Sequence, residues 1–131
     1  MWQSILTTVW FYATTVLSIV ICMVVLEWVT PYKNWEEIRD GNLSVAMATG
    51  GKIFGIANVF RFSILHNDSY LEAFVWGGVG FLLLLAAYFI FEFLTPKFKV
   101  DEEIAKDNRA IGLLSLFISV GISYVIGASI S

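Results

Sequence analysis

Four long apolar stretches, roughly 5–29, 43–65, 73–94 and 110–130, alternate with short polar segments along the chain. Each reaches the ~20 residues that a helix needs to cross ~30 Å of hydrocarbon. Ten-residue alternation of polar and apolar positions is absent, and a backbone in lipid must satisfy its own hydrogen bonds, so the stretches read as helices rather than barrel strands. The connection at 66–72 is short, which makes the second and third spans antiparallel neighbours. The pattern predicts an all-α integral membrane four-helix bundle, with residues 1–131 forming a single transmembrane domain.

The polar segments after the first and third spans share a phrase. Glu27-Trp28-Val29-Thr30-Pro31, Glu36-Glu37-Ile38 and Asn42 are matched by Glu92-Phe93-Leu94-Thr95-Pro96, Glu102-Glu103-Ile104 and Asn108. The pairing runs on through Gly55-Ile56, Val59 and Ser63-Ile64 against Gly121-Ile122, Val125 and Ser129-Ile130. A helical hairpin with a charged loop reads as duplicated in parallel, as units of about 5–65 and 73–131. Pro31 and Pro96 stop the first and third spans and push the residue before them towards extended geometry. Residues 36–40 predict a short surface helical segment. Asp40 and Asn42, and likewise Asp107 and Asn108, are candidate N-caps for the spans that follow.

Composition agrees: the chain is 58% hydrophobic and 15% charged, with mean hydropathy +0.77, against about a quarter charged in soluble domains. The net charge of −3 says less than its placement. Lys33, Arg39, Lys97, Lys99, Lys106 and Arg109 lie in or beside the two charged loops, whereas both ends and the 66–72 connection hold no Lys or Arg. By the positive-inside rule both charged loops face the cytoplasm and both termini lie outside. The first stretch has neither a cationic leader nor a small-residue cleavage site, and so reads as a retained span. Trp2, Trp10, Trp28, Trp35 and Trp76 fall mostly near expected interfaces.

Small residues mark packing faces. Ser44, Ala48, Gly51 and Gly55 on the second span, and Ser115, Ser119, Ser123 and Gly127 on the fourth, form stripes that let backbones approach and hydroxyls bond across an interface. They are expected on exposed faces, available to a partner or a second copy. A hydroxyl-lined permeation path is the alternative.

Lys52 lies ten residues beyond Asn42, which puts its backbone ~15 Å deep. A lysine there costs roughly 2.5–3.5 kcal/mol on insertion scales, so a carboxylate, a polar cavity, an anion or a neutral amine must offset it. Glu27 and Glu92, at matching repeat positions, are candidate partners. Asn58 and Arg61 follow at three-residue steps, and with Lys52 they form a polar line of the kind an anion path would use. Snorkelling or an interfacial ion pair is the plainer reading of Arg61.

No cofactor or metal site is expected. His66 has only Asn67 and Asp68 beside it, and a metal site needs more ligands. Cys22 is alone and within a span. HExxH, CxxC, Walker and GxSxG motifs are absent, and no basic patch suggests nucleic acid. The run Gly77-Gly78-Val79-Gly80 sits inside an apolar helix and reads as packing.

At these residues the chain resembles the small four-span bacterial membrane proteins called domain of unknown function 350. The resemblance covers nearly the whole chain. It rests on the duplicated unit, on Glu36-Glu37-Ile38-Arg39-Asp40-Gly41-Asn42 leading into Ser44-Val45-Ala46, on Gly50-Gly51-Lys52-Ile53-Phe54-Gly55, on Trp76-Gly77 and on Asn108-Arg109-Ala110. It implies a bacterial inner-membrane protein, with an envelope-stress role suggested by some relatives, and no activity to carry over. The chain departs from that family at residues 124–127, where relatives carry an Asn-Ala-Ala-like stretch.

Three functions are weighed. The first is a non-enzymatic accessory or scaffold subunit that packs with itself or with a larger membrane complex. The second is a homo-oligomeric small channel or transporter with its polar path along the second span. The third, an intramembrane enzyme, lacks a nucleophile–base pair.

Overall fold

A computed structural model of the chain describes residues 1–30, 33–66, 69–93 and 100–130. Six helices follow in order: α1 (Trp2–Val29), α2 (Asn34–Arg39), α3 (Leu43–His66), α4 (Tyr70–Phe93), α5 (Val100–Ala105) and α6 (Arg109–Ile130). The helices α1, α3, α4 and α6 are long and apolar enough to cross a membrane, within a few residues of the expected boundaries. The chain is an all-α membrane bundle, and the described residues contain no strand. The short helices α2 and α5 occupy the charged loops.

Helix ends follow local chemistry. Thr30, after α1, is extended at φ −85° and ψ 131°, the geometry that a following proline favours. Its hydroxyl donates to the Leu26 carbonyl at 2.6 Å. Pro31 and Pro96 lie outside the described residues, as do Asn67, Asp68 and Thr95.

The entries to α3 and α6 use the same hydrogen bonds. Asn42 Nδ2 donates to Glu37 at 3.2 Å, and its Oδ1 accepts from the Val45 N–H at 3.0 Å. Asn108 repeats this with Glu103 at 3.0 Å and the Ile111 N–H at 3.4 Å. The backbone turns left-handed just before each, at Gly41 (φ 89°) and at Asp107 (φ 62°). Glycine takes this region freely, and aspartate is among the side chains that tolerate it. Asn42 and Asn108 are therefore the caps, as expected. Asp40 is not a cap of α3: it ends α2 and lies 3.7 Å from Arg39.

The packing is centred on α3, which has 61% of its most apolar window buried, against 11% for α1. The long face of α3 lies along α6, with α4 against both, while α1 rests lightly on α3 and α4. Lipid tails are as apolar as leucine, so close backbone approach and interhelical hydrogen bonds must hold such a bundle. The small residues supply that approach. A Cβ at Gly51 would lie 2.7 Å from the Leu116 Cα, and one at Gly112 would lie 2.7 Å from the Ser44 Cα. One at Gly55 would meet the Ser119 carbonyl oxygen at 3.3 Å. Gly127 makes room for the Phe62 ring, and Gly77 and Gly80 make room for Phe60 and Val59.

This corrects the expected placement of the stripes. Ser44, Ala48, Gly51, Gly55, Ser115, Ser119, Ser123 and Gly127 are all buried inside the chain, and α3 and α6 use them against each other. Large apolar side chains cover the outside instead. On α1 these include Leu6, Trp10, Leu17 and Ile21, and on α6 Leu113 and Phe117.

Candidate functional site

A line of buried polar side chains runs through the centre of the bundle. The helix α3 contributes Ser44, Thr49, Lys52, Asn58 and Ser63, and α6 contributes Ser115, Ser119 and Ser123. At the loop end the two halves of the chain interlock. Asn42 Nδ2 also donates to the Ala105 carbonyl at 2.9 Å, and the Ser44 N–H donates to Asp107 Oδ1 at 2.9 Å. The Ser44 N–H holds the Asp107 carboxyl below the usual carboxylate range, and the Arg109 charge adds to this. Asp107, expected to cap its own helix, thus caps α3.

Lys52 is 4% exposed. Its ammonium nitrogen lies 4.2 Å from the centre of the Tyr88 ring, a distance at which a cation is attracted to the face of the ring. Lys52, Tyr88, Leu84, Ile56, Ser115 and Ser119 border a cavity of about 20 Å³, room for roughly one water molecule. Glu27, a candidate partner of Lys52, is engaged elsewhere. Its carboxylate accepts the Asn34 N–H at 3.2 Å and Asn34 Nδ2 at 2.6 Å. Asn34 Oδ1 in turn accepts the Thr49 hydroxyl at 2.9 Å, so this small network ties α1, α2 and α3 together. The side chain of Glu92 lies outside the described residues.

Beyond Lys52, Asn58 Nδ2 donates to Ser123 Oγ at 3.0 Å, and that hydroxyl donates to the Val120 carbonyl at 2.6 Å. The Ser63 hydroxyl donates to the Ala73 carbonyl at the start of α4. Arg61 leaves the line: it is exposed, with its guanidinium 5.4 Å from the Phe62 ring centre. The polar row expected on α3 therefore divides, with Lys52 and Asn58 inside and Arg61 outside. His66 is exposed, with Nδ1 2.9 Å from the Phe62 carbonyl oxygen. The described residues hold no cluster of three or more His, Cys, Asp or Glu that could bind a metal.

The sequence singles out Lys52 and Asn58 but not the Tyr88 ring beside the one or the Ser123 hydroxyl bonded to the other. Tyr88 looks like any aromatic in an apolar run, and Ser123 was assigned to an exposed stripe. Asn34 and Thr49 carried no signal of their own.

Four apolar spans around a buried polar seam define a polytopic α-helical membrane protein. A match to the family described as Domain of Unknown Function (DUF350) covers residues 1–130, and the chain belongs to that family. It is 59% identical over 120 residues to the UPF0719 transmembrane protein YshE of Bacillus subtilis (strain 168), covering 92% of this chain and 90% of that protein. It is 22% identical over 103 residues to the UPF0719 inner membrane protein YjfL of Escherichia coli (strain K12), covering 79% and 76%. No solved structure matches the chain.

Proposed function

We propose that this protein is a non-enzymatic accessory subunit of the bacterial inner membrane that docks laterally, through α1, against a larger membrane protein. The observation that carries this reading is the light attachment of α1. It is the longest helix at 28 residues, yet only Cys22 and Leu26, near its loop end, are buried apolar anchors. Residues 1–10 are exposed throughout. The hydroxyls of Thr8, Thr14 and Ser18 donate to carbonyls of their own helix, so these three carry little polar cost into an apolar contact. Lipid tails suit an apolar face as well as protein does, so it is the light attachment of α1, and not apolarity alone, that assigns this face to another membrane-spanning helix.

This reading takes the two helical hairpins as copies of one unit. The matching hydrogen bonds at Asn42 and Asn108 are what two copies of one hairpin would make. A strict duplication would seat α1 on α6 as α4 sits on α3. Instead α1 packs on α3 and α4, and Leu113 and Phe117 of α6 stay exposed. The loops carrying Lys33, Arg39, Lys106 and Arg109 face the cytoplasm in this reading, with both termini outside. Cysteines placed at Leu17 test the docking face by cross-linking in native membranes. Adducts at Leu17→Cys, with none at Leu82→Cys on the outer face of α4, are expected. Equal labelling of both faces contradicts the reading.

The buried Lys52, its water-sized cavity and the Asn58–Ser123 bond support a second reading, a small-ion or proton path through α3 and α6. The close approach of Gly51 to the Leu116 backbone brings α3 and α6 together at that level. Liposome flux abolished by Lys52→Met would favour that reading, and unchanged flux would remove Lys52 from it.

A further inference from the structure

Glu27 sits in the last turn of α1, where the helix dipole already presents partial negative charge. That turn contains no basic residue. Among the described residues no Lys, Arg or His lies within ion-pair distance of its carboxylate, whose partners are the two nitrogens of Asn34. Those bonds leave acceptor capacity on a group with about four lone-pair sites. The carboxylate is half-buried and borders a groove of about 250 Å³ with Val20, Met23, Val24, Trp28 and Trp35. Trp28 is 78% exposed and Trp35 50% exposed, so two indoles are presented beside an anion.

Each feature selects the same chemistry. A carboxylate without a base, a helix C-terminus and two indole faces all attract a cation, and tryptophan is the strongest of the aromatic rings in this respect. Val20, Met23 and Val24 continue the groove along the span, so the occupant also has an apolar part. The volume falls below that of a drug-sized site and suits a small head group. The groove sits at the end of a span, where lipid head groups lie. Lys33, just before α2, is exposed and only loosely placed at 3.8 Å from Glu36, which leaves its ammonium available to a phosphate.

We propose that the groove between α1 and α2 binds the primary-ammonium head of a phospholipid, with Glu27 as its counter-ion and Trp28 and Trp35 as flanking faces. The bond between Glu27 and Asn34 orients the carboxylate and ties lipid occupancy to the α1–α2 junction.

The test is native mass spectrometry of the purified full chain titrated with phosphatidylethanolamine or phosphatidylglycerol. The wild type is expected to retain one phosphatidylethanolamine on the order of tenfold more strongly than phosphatidylglycerol. Glu27→Gln keeps an oxygen for the Asn34 N–H but removes the charge, and should abolish the preference. Trp35→Leu should weaken retention several-fold, and it decides the matter if Glu27→Gln fails to fold. Displacement of the lipid by tetraphenylphosphonium supports a cation site. Equal retention of the two lipids by the wild type overturns the proposal. So does wild-type preference in a folded Glu27→Gln, wild-type retention in Trp35→Leu, or tetraphenylphosphonium binding with no phosphatidylethanolamine bound.

Discussion

Gly50 and Gly51 are neighbours on α3, yet the same substitution should affect them differently. A Cβ at Gly50 meets nothing within 4 Å, whereas one at Gly51 lands 2.7 Å from the Leu116 Cα and 3.1 Å from its carbonyl oxygen. Carbon–carbon contacts are best near 3.5–4.0 Å, so α6 must move by roughly 1 Å, and the obstacle is backbone that cannot rotate away. Alanine gains about 1 kcal/mol of helix propensity over glycine at either position. The difference between the two variants therefore isolates the overpacking, at about 1–3 kcal/mol, or roughly 5- to 150-fold in the folded-to-unfolded ratio. Equilibrium unfolding in mixed micelles, followed by circular dichroism, measures both. Gly51→Ala should be the less stable by that margin. A difference below about 0.5 kcal/mol would refute the claim that α3 and α6 meet through their backbones at this level.

Three further outcomes follow from the seam and its caps. Ser123→Ala removes the acceptor of a buried amide and should cost about 1 kcal/mol, while the double variant with Asn58→Leu should cost less than the sum of the singles, as a double-mutant cycle would read. Asn42→Ala loses both its cap bond and its bond to the Ala105 carbonyl, for about 1–2 kcal/mol. Asn108→Ala loses a longer cap bond, at 3.4 Å, so hydrogen exchange should rise more at the start of α3 than at the start of α6. Asp107 has its folded pKa lowered by the Ser44 N–H. Its contribution is therefore complete above the ordinary aspartate range near pH 4 and is lost as pH falls through the folded value. Ser44 amide protection should fall on acidification in the wild type and lose that dependence in Asp107→Asn.

The spans were legible because a membrane imposes length and apolarity on a contiguous segment, which leaves little to tertiary context. The caps Asn42 and Asn108 were legible for a similar reason, since each acts within a few residues of itself. The stripes were half legible. A serine or glycine every four residues announces close approach, but nothing in that spacing says whether the approaching helix is in the same chain. Here α6 answers α3, and the faces thought to be free are filled. Side chains whose partners come from far along the chain were illegible. Asp107 reaches Ser44 because α5 lies beside the start of α3. Lys52 meets Tyr88, a ring that no linear pattern separates from its aromatic neighbours. Glu27 was read as a counter-charge for Lys52 because both are rare in apolar surroundings, whereas the α1–α2 turn brings Asn34 to it first.

The central functional claim is that α1 is the docking helix, and cross-linking in native membranes tests it most directly. Single cysteines at Leu17 on α1, Leu82 on α4 and Phe117 on α6 would be compared in a Cys22→Ser background, with adducts identified by mass. One dominant adduct is expected from Leu17→Cys, to a second and larger membrane protein, and little from Leu82→Cys. Adducts only between copies of this chain, or none that distinguish α1 from α4, would contradict it.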